Sequence, residues 1–147
     1  MMDLAQSSMV LHATTIDISG RGASIIGKSG VGKSGLAIKL MAMGADLVSD
    51  DQTLLKCVND KIFLTKPRQV PCAIEARGIG LIPVPAKKTS ELFCFVKLID
   101  EPSERLPPLN EKICFGKSIR LIHFNPSLGN EAALFLMIKY GLIDPLG

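Results

Sequence analysis

Eight residues, Gly27-Lys28-Ser29-Gly30-Val31-Gly32-Lys33-Ser34, satisfy the pattern G-x-x-x-x-G-K-[ST] in full. Glycines let successive N–H groups turn inward onto phosphate oxygens. Lys33 supplies a point charge for the β- and γ-phosphates, and Ser34 offers a hydroxyl to Mg²⁺. Further along stand two adjacent carboxylates, Asp50 and Asp51. Two such charges beside one phosphate chain repel it unless a metal intervenes, so Mg²⁺ is expected between them. One carboxylate then holds the water shell of the metal, and the other accepts a proton from an attacking hydroxyl. A third group lies in "AIEARGIGLI", residues 73 to 82. Glu75 and Arg77 are two apart in an extended piece and point to one side, the carboxylate suited to Mg²⁺ and the guanidinium to phosphate oxygens.

These residues need a strand, a turn and a helix to position them. "ASII" ahead of the glycine loop reads as a buried strand. "KSGLAIKLMAMG" after it places apolar residues at 36, 37, 40, 41 and 43, which predicts a helix over 33–43 stopped by Gly44. If that helix is a crossover to a strand at "ADLVS", the two strands run parallel and both end beside the phosphate loop, which delivers the aspartates to the triphosphate. "MVLHA" and "TTIDIS" precede as strands, with a tight turn at "SGRG" forming a hairpin into "ASII". "QTLLKCV" and "KIFLTK" flank "NDK" as a second hairpin. Residues 67–86 hold four prolines and two glycines, and read as loop with extended pieces at "AIEA" and "GLIPV". "ELFCFVKLI" is a strand, residues 101–112 a proline-interrupted loop, and "SIRLIHF" a strand. "NEAALFLMIKYG" is a closing helix with Asn130 as cap and Gly141 as stop.

The 147 residues, 47% of them hydrophobic, suffice for one globular domain spanning 1–147. Seventeen basic against 14 acidic residues leave a net charge of +3 without long basic runs, and aromatic residues make up only 5% with no Trp. That combination argues against nucleic-acid binding, which needs a basic face or stacking platforms. Cys57, Cys72, Cys94 and Cys114 form no C-x-x-C pair and sit among apolar neighbours, which predicts buried free thiols in a reducing cytoplasm. "MMDLAQSSMVLHA" lacks the basic start of a signal peptide, and the longest apolar stretch, residues 132–138, is far too short to span a membrane. The expectation is a cytoplasmic protein with no membrane role.

"GKSGVGKS", "LVSDD" and "IEARGIGLI" in this order and spacing resemble the signatures of bacterial HPr kinase/phosphorylase, which phosphorylates a serine of the phosphocarrier protein HPr. "HATTIDISGRGASII" and "NPSLGNEAALF" are similar to the family's entry strand and late segment. The resemblance covers the catalytic domain, without the usual N-terminal domain and with the C-terminal extension cut short at Gly147. Compact forms of this kind occur in alphaproteobacteria. It implies an α/β phosphate-loop fold with a central mixed β-sheet, similar also to phosphoenolpyruvate carboxykinase, together with ATP and Mg²⁺ as cofactors, HPr as partner and assembly into hexamers.

By position, the resemblance implies that Gly27 to Ser34 bind ATP, with Lys33 on the β-phosphate and Ser34 on Mg²⁺. Asp50 takes the serine proton and, in reverse, returns it when inorganic phosphate attacks phosphoserine. Asp51 and Glu75 serve the metal, Arg77 steadies the site, His12 stands near the catalytic aspartate, and Arg105 is carried on a mobile loop to touch phosphate. The family's P-G-R-N is here Ser127-Leu128-Gly129-Asn130, without its arginine. Two other readings of the same residues are a small-molecule kinase and a nucleotide-binding regulator that transfers no phosphate. The apolar helix 131–140 reads either as core or as a face for a neighbouring subunit.

Overall fold

The computed structural model describes residues 6–28, 30, 32–102 and 104–143. Eleven strands and two α-helices follow one another among them: β1 (Gln6–Leu11), β2 (Thr14–Ile18), β3 (Arg21–Ile26), α1 (Lys33–Ala42), β4 (Asp46–Ser49), β5 (Thr53–Val58), β6 (Lys61–Thr65), β7 (Ala73–Ala76), β8 (Gly80–Pro83), β9 (Ser90–Leu98), β10 (Asn110–Cys114), β11 (Lys117–Phe124) and α2 (Glu131–Tyr140). Nine strands form one mixed sheet in the order β1-β5-β6-β9-β3-β2-β4, with β11 also on β9 and β10 on β11.

β9 organises this sheet. Most of its length, residues 91–97, pairs parallel with β3 on one side. On the other, its first residues hold β6 antiparallel and its last hold β11 parallel. Two partners on one side force the sheet to fork and curl, and β3 comes close enough to make Gly22 obligatory. A side chain there would meet Leu64 Cδ1 at 2.6 Å and Ser90 Oγ at 2.7 Å.

The crossover is parallel as the pattern predicts, but β2 lies between its two strands. β3 and β4 each pair antiparallel with β2 and therefore run parallel to one another. The carboxyl ends of β3 and β4 and the start of β2 consequently share one edge of the sheet. The hairpins turn at Ser19-Gly20 and Asn59-Asp60, all four residues with positive φ as a two-residue turn between twisted strands requires.

α1 and α2 cover one face through Leu36, Leu40, Leu134 and Ile138, packed on Ile16, Ile25, Cys94 and Val96. The other face is closed by the sheet's own curl, where Val48, Leu55, Leu64, Phe95 and Cys114 meet. Two independent faces of one sheet are thus both buried, which explains why β3 and β9 read as continuous apolar runs.

Four expectations are corrected here. The loop placed at 101–112 ends early because residues 110–114 pair with β11 through a turn at Phe115-Gly116; as an outer strand with a half-exposed face, β10 carries little apolar signal. "AIEA" and "GLIPV" are not isolated pieces but the antiparallel hairpin β7–β8. Asn130 precedes α2 without a side-chain capping bond. Cys72 is exposed, whereas Cys94 and Cys114 are buried and Cys57 is half-buried. Gly141, with φ of 88°, does end α2, and its N–H donates to Met137 O. Leu136 and Tyr140 remain exposed on that helix.

Candidate active site

The shared sheet edge carries a cleft of about 430 Å³ lined by residues from three elements and the phosphate loop. Gly27, Gly30 and Gly32 adopt φ of 150°, 82° and 103°, a backbone that side-chain-bearing residues rarely adopt, so the loop curves back over the start of α1. Ser29 and Val31 lie outside the described residues. Lys33, buried at the first position of α1, donates from Nζ to Gly27 O (3.0 Å) and Lys28 O (3.1 Å), which ties both ends of the turn to one ammonium. Ser34 lines the cleft and donates from Oγ to Asp50 Oδ1 at 2.7 Å.

The neighbouring aspartates have opposite environments. Asp50 is buried and accepts three hydrogen bonds: from Ser34, from Thr14 Oγ1 at 2.8 Å, and from Glu75 N–H on Oδ2 at 3.1 Å. Asp51 adopts φ of 71°, which swings its side chain the other way, into the cleft. Its carboxylate is largely exposed, and Oδ1 faces His12 Nε2 at 3.3 Å. A left-handed non-glycine backbone costs about 1 kcal/mol or more. Here it is held by Asp51 N–H donating to Thr14 Oγ1 at 3.3 Å and by a turn in which Gln52 N–H donates to Asp50 O at 2.8 Å.

Thr14 therefore joins both aspartates through one oxygen, donating to Asp50 and accepting from Asp51. Nothing in the sequence pattern singles it out; a threonine opening a strand two residues after His12 is an ordinary β residue. The topology brings it to both aspartates, because β2 starts between the ends of β3 and β4. His12, expected within a strand, sits in the exposed bend between β1 and β2.

Glu75 and Arg77 come from the β7–β8 hairpin and line the cleft opposite the phosphate loop. The Arg77 guanidinium reaches over the loop, its Nη2 being 4.0 Å from where a side chain on Gly30 would begin. Of the expected site residues, His12, Gly30, Gly32, Lys33, Ser34, Asp51, Glu75 and Arg77 line this cleft, with Asp50 directly behind Ser34. Arg105 is not among the lining residues; it is exposed on the segment after β9.

The expected division of labour between the aspartates does not fit this geometry. Asp50 has both oxygens engaged and is shut behind Ser34, so it cannot reach a substrate hydroxyl without breaking three hydrogen bonds. Asp51 is the carboxylate that an incoming group meets. Among the described residues no cluster of three or more His, Cys, Asp or Glu side chains forms a metal cage. The hydroxyl–carboxylate pair of Ser34 and Asp50 nevertheless fits Mg²⁺, which keeps most of its waters and takes one or two protein oxygens plus phosphate.

Residues 3–91 match the family described as HPr Serine kinase C-terminal domain. Relatives include an HPr kinase/phosphorylase of Clostridium tetani, 38% identical over 76 residues, covering 52% of this chain and 25% of that protein. One from Lachnoclostridium phytofermentans is 41% identical over 75 residues, covering 50% and 24%. The chain thus spans about a quarter of the length of these relatives. A solved structure of the Hpr(Ser) kinase/phosphatase from Coxiella burnetii superposes with a TM-score of 0.78 at 26% identity, covering 88% of each chain.

Proposed function

The chain belongs to the HPr Serine kinase C-terminal domain family, and from that premise we propose that its cleft transfers the γ-phosphoryl group of ATP to a serine hydroxyl of HPr. The observation that carries the reading is the placement of an exposed carboxylate, Asp51, paired with His12 on the lip of a complete phosphate loop.

In this reading the phosphate loop's N–H groups and Lys33 hold the nucleotide phosphates, and Arg77 closes over them from the hairpin. Ser34 and Asp50 are the residues that would hold Mg²⁺, with Glu75 facing them across the cleft. When bound, the ion supplies neutralisation of charge on the β- and γ-phosphates. Asp51 accepts the serine proton as the serine Oγ–P bond forms and the bond from γ-phosphorus to the β–γ bridging oxygen breaks. His12 Nε2 orients the Asp51 carboxylate toward the hydroxyl. In the reverse direction inorganic phosphate attacks the phosphoserine phosphorus, pyrophosphate leaves with the phosphoryl group, and Asp51 returns its proton to serine Oγ. The family resemblance supports assembly of several copies and action in the cytoplasm; the exposed Leu136 and Tyr140 of α2 suit a subunit contact. No helix among the described residues is long and apolar enough to cross a membrane.

The test is incubation with purified HPr and γ-labelled ATP, with phosphoserine identified on HPr by mass spectrometry. Asp51→Asn should cut transfer by about 10²- to 10⁴-fold and leave ATP binding in place. ATP binding without phosphoserine formation by the unmodified chain would instead favour a nucleotide-binding regulator.

A further inference from the structure

A second cavity of about 420 Å³ opens on the far side of β9, between the segment 99–109, the ends of β10 and β11, and the residues after α2. Its size falls in the range of small-molecule sites. Ile99, Leu106, Leu109, Ile122, Leu142 and Ile143 give it an apolar lining. Among these stands one guanidinium, that of Arg120 on β11.

Arg120 is the anomaly of this region. Its Nη1 is buried and, among the described residues, has no hydrogen-bond partner. Two residues stand opposite it in register, and neither balances its charge. Glu111 on β10 forms no ion pair with it, Arg120 being absent from the ion pairs found among the described residues. Cys94 on β9 is kept as a neutral thiol, burial pushing its pKa up to about 12 against the opposing pull of Arg120. A cation left without a counter-charge beside apolar walls is costly, and the part of Arg120 that lines the cavity is open to an acceptor entering it.

We propose that this cavity binds a medium-chain aliphatic carboxylate, its chain among the leucines and isoleucines and its carboxylate on Arg120. The planar guanidinium fork matches a carboxylate's two oxygens. His123, exposed on the rim, adds a second polar neighbour, whereas Glu104 on the same rim opposes a doubly charged phosphate. The apolar walls reward a ligand with a chain, which neither acetate nor inorganic phosphate has.

Calorimetric titration of the full chain with sodium octanoate tests this. Saturable binding is expected, weakened about tenfold or more in Arg120→Met, which keeps an unbranched stem and loses the guanidinium and its charge. Octanol, with the chain but no charge, and acetate, with the charge but no chain, should each bind about tenfold more weakly than octanoate. A second variant, Leu106→Glu, changes an exposed residue of the lining, so it leaves the fold intact by circular dichroism and should weaken octanoate by repulsion. Absence of saturable octanoate binding to the unmodified chain overturns the proposal. So does equal affinity for octanol. If Arg120→Met folds, undiminished affinity in it has the same force; if it does not fold, Leu106→Glu decides on the same terms.

Discussion

The two cavities are of nearly equal size, and they are built on opposite principles. The phosphate cleft is polar and its groups are cross-tied: Ser34, Thr14 and the Glu75 N–H converge on Asp50, while Lys33 spans its own loop. The Arg120 cavity is mostly apolar, and its single guanidinium belongs to no ion pair among the described residues. The difference teaches how each responds to a ligand. A cross-tied cleft is organised before anything binds, so its residues can be spent on the transition state. A cation without a counter-charge among apolar walls gains one from an anionic ligand, which is a recipe for binding rather than chemistry.

The largest separation between the two should come from the machinery of the first. Asp51→Asn is expected to cut phosphoryl transfer by about 10²- to 10⁴-fold, the usual range for loss of a general base. Octanoate affinity should stay unchanged, as read by calorimetry on the same preparation. A parallel loss at both cavities would show that they are not independent.

Asp50→Ala strikes the same cleft through its framework. It strands the Glu75 N–H and the hydroxyls of Ser34 and Thr14 around a small void, at a cost of about 1–3 kcal/mol per buried donor left without an acceptor. Denaturant unfolding should show this loss, together with a raised Mg²⁺ requirement for transfer. Asp51→Asn, at an exposed position, should leave the unfolding midpoint almost unmoved.

Thr14→Val is the finer probe, because it keeps the shape of a buried side chain and deletes only the shared oxygen. Loss of about 1 kcal/mol in stability is expected. The transfer rate should fall about tenfold at saturating ATP with little change in KM, since Asp51 loses its backbone tether while the phosphate loop keeps its own bonds. Thr14→Ser restores the oxygen and should recover the rate.

The remaining effect lies beside the second cavity, is absent at neutral pH and appears only at alkaline pH. The Cys94 thiol is raised from 9.0 to about 12 by burial. Above pH 9 the unfolded chain releases this proton while the folded chain keeps it. The contribution is therefore fully present below pH 9 and declines as pH rises toward 12, by up to about 1.4 kcal/mol per pH unit. Cys94→Ala should flatten that part of the slope in unfolding measured from pH 8 to 10.5, whatever cavity penalty it shows at pH 7. An equal slope in both proteins would mean that the thiol is not shielded as its burial indicates.

Much of the first cavity was legible in the residues. A phosphate loop declares itself because its backbone geometry demands glycine at fixed offsets, and the strand and helix around it follow from periodicity. Little of the second was. Arg120 is one basic residue in an alternating strand, and the segment before it offers prolines and isolated leucines without a period; only pairing β11 with β9 and β10 brings them together. Arg105 shows the same limit from the other side, since it sits on that segment and does not line the phosphate cleft.

By itself the sequence marked a phosphate loop, two carboxylates at the end of the next strand and the pair Glu75 and Arg77, all of which the fold gathers in or directly behind one cleft. Spacing along a strand or across a tight turn is a local property, and local geometry is written in residue types. What only the tertiary structure decided is which aspartate is buried and which faces the cleft. Asp50 and Asp51 are identical neighbours in the chain. They part because β2 lies between β3 and β4, so that Thr14 meets both, burying one carboxylate among donors and holding the other's backbone at φ 71° toward the cleft. That choice depends on a residue 36 positions from Asp50, a contact that no local pattern carries.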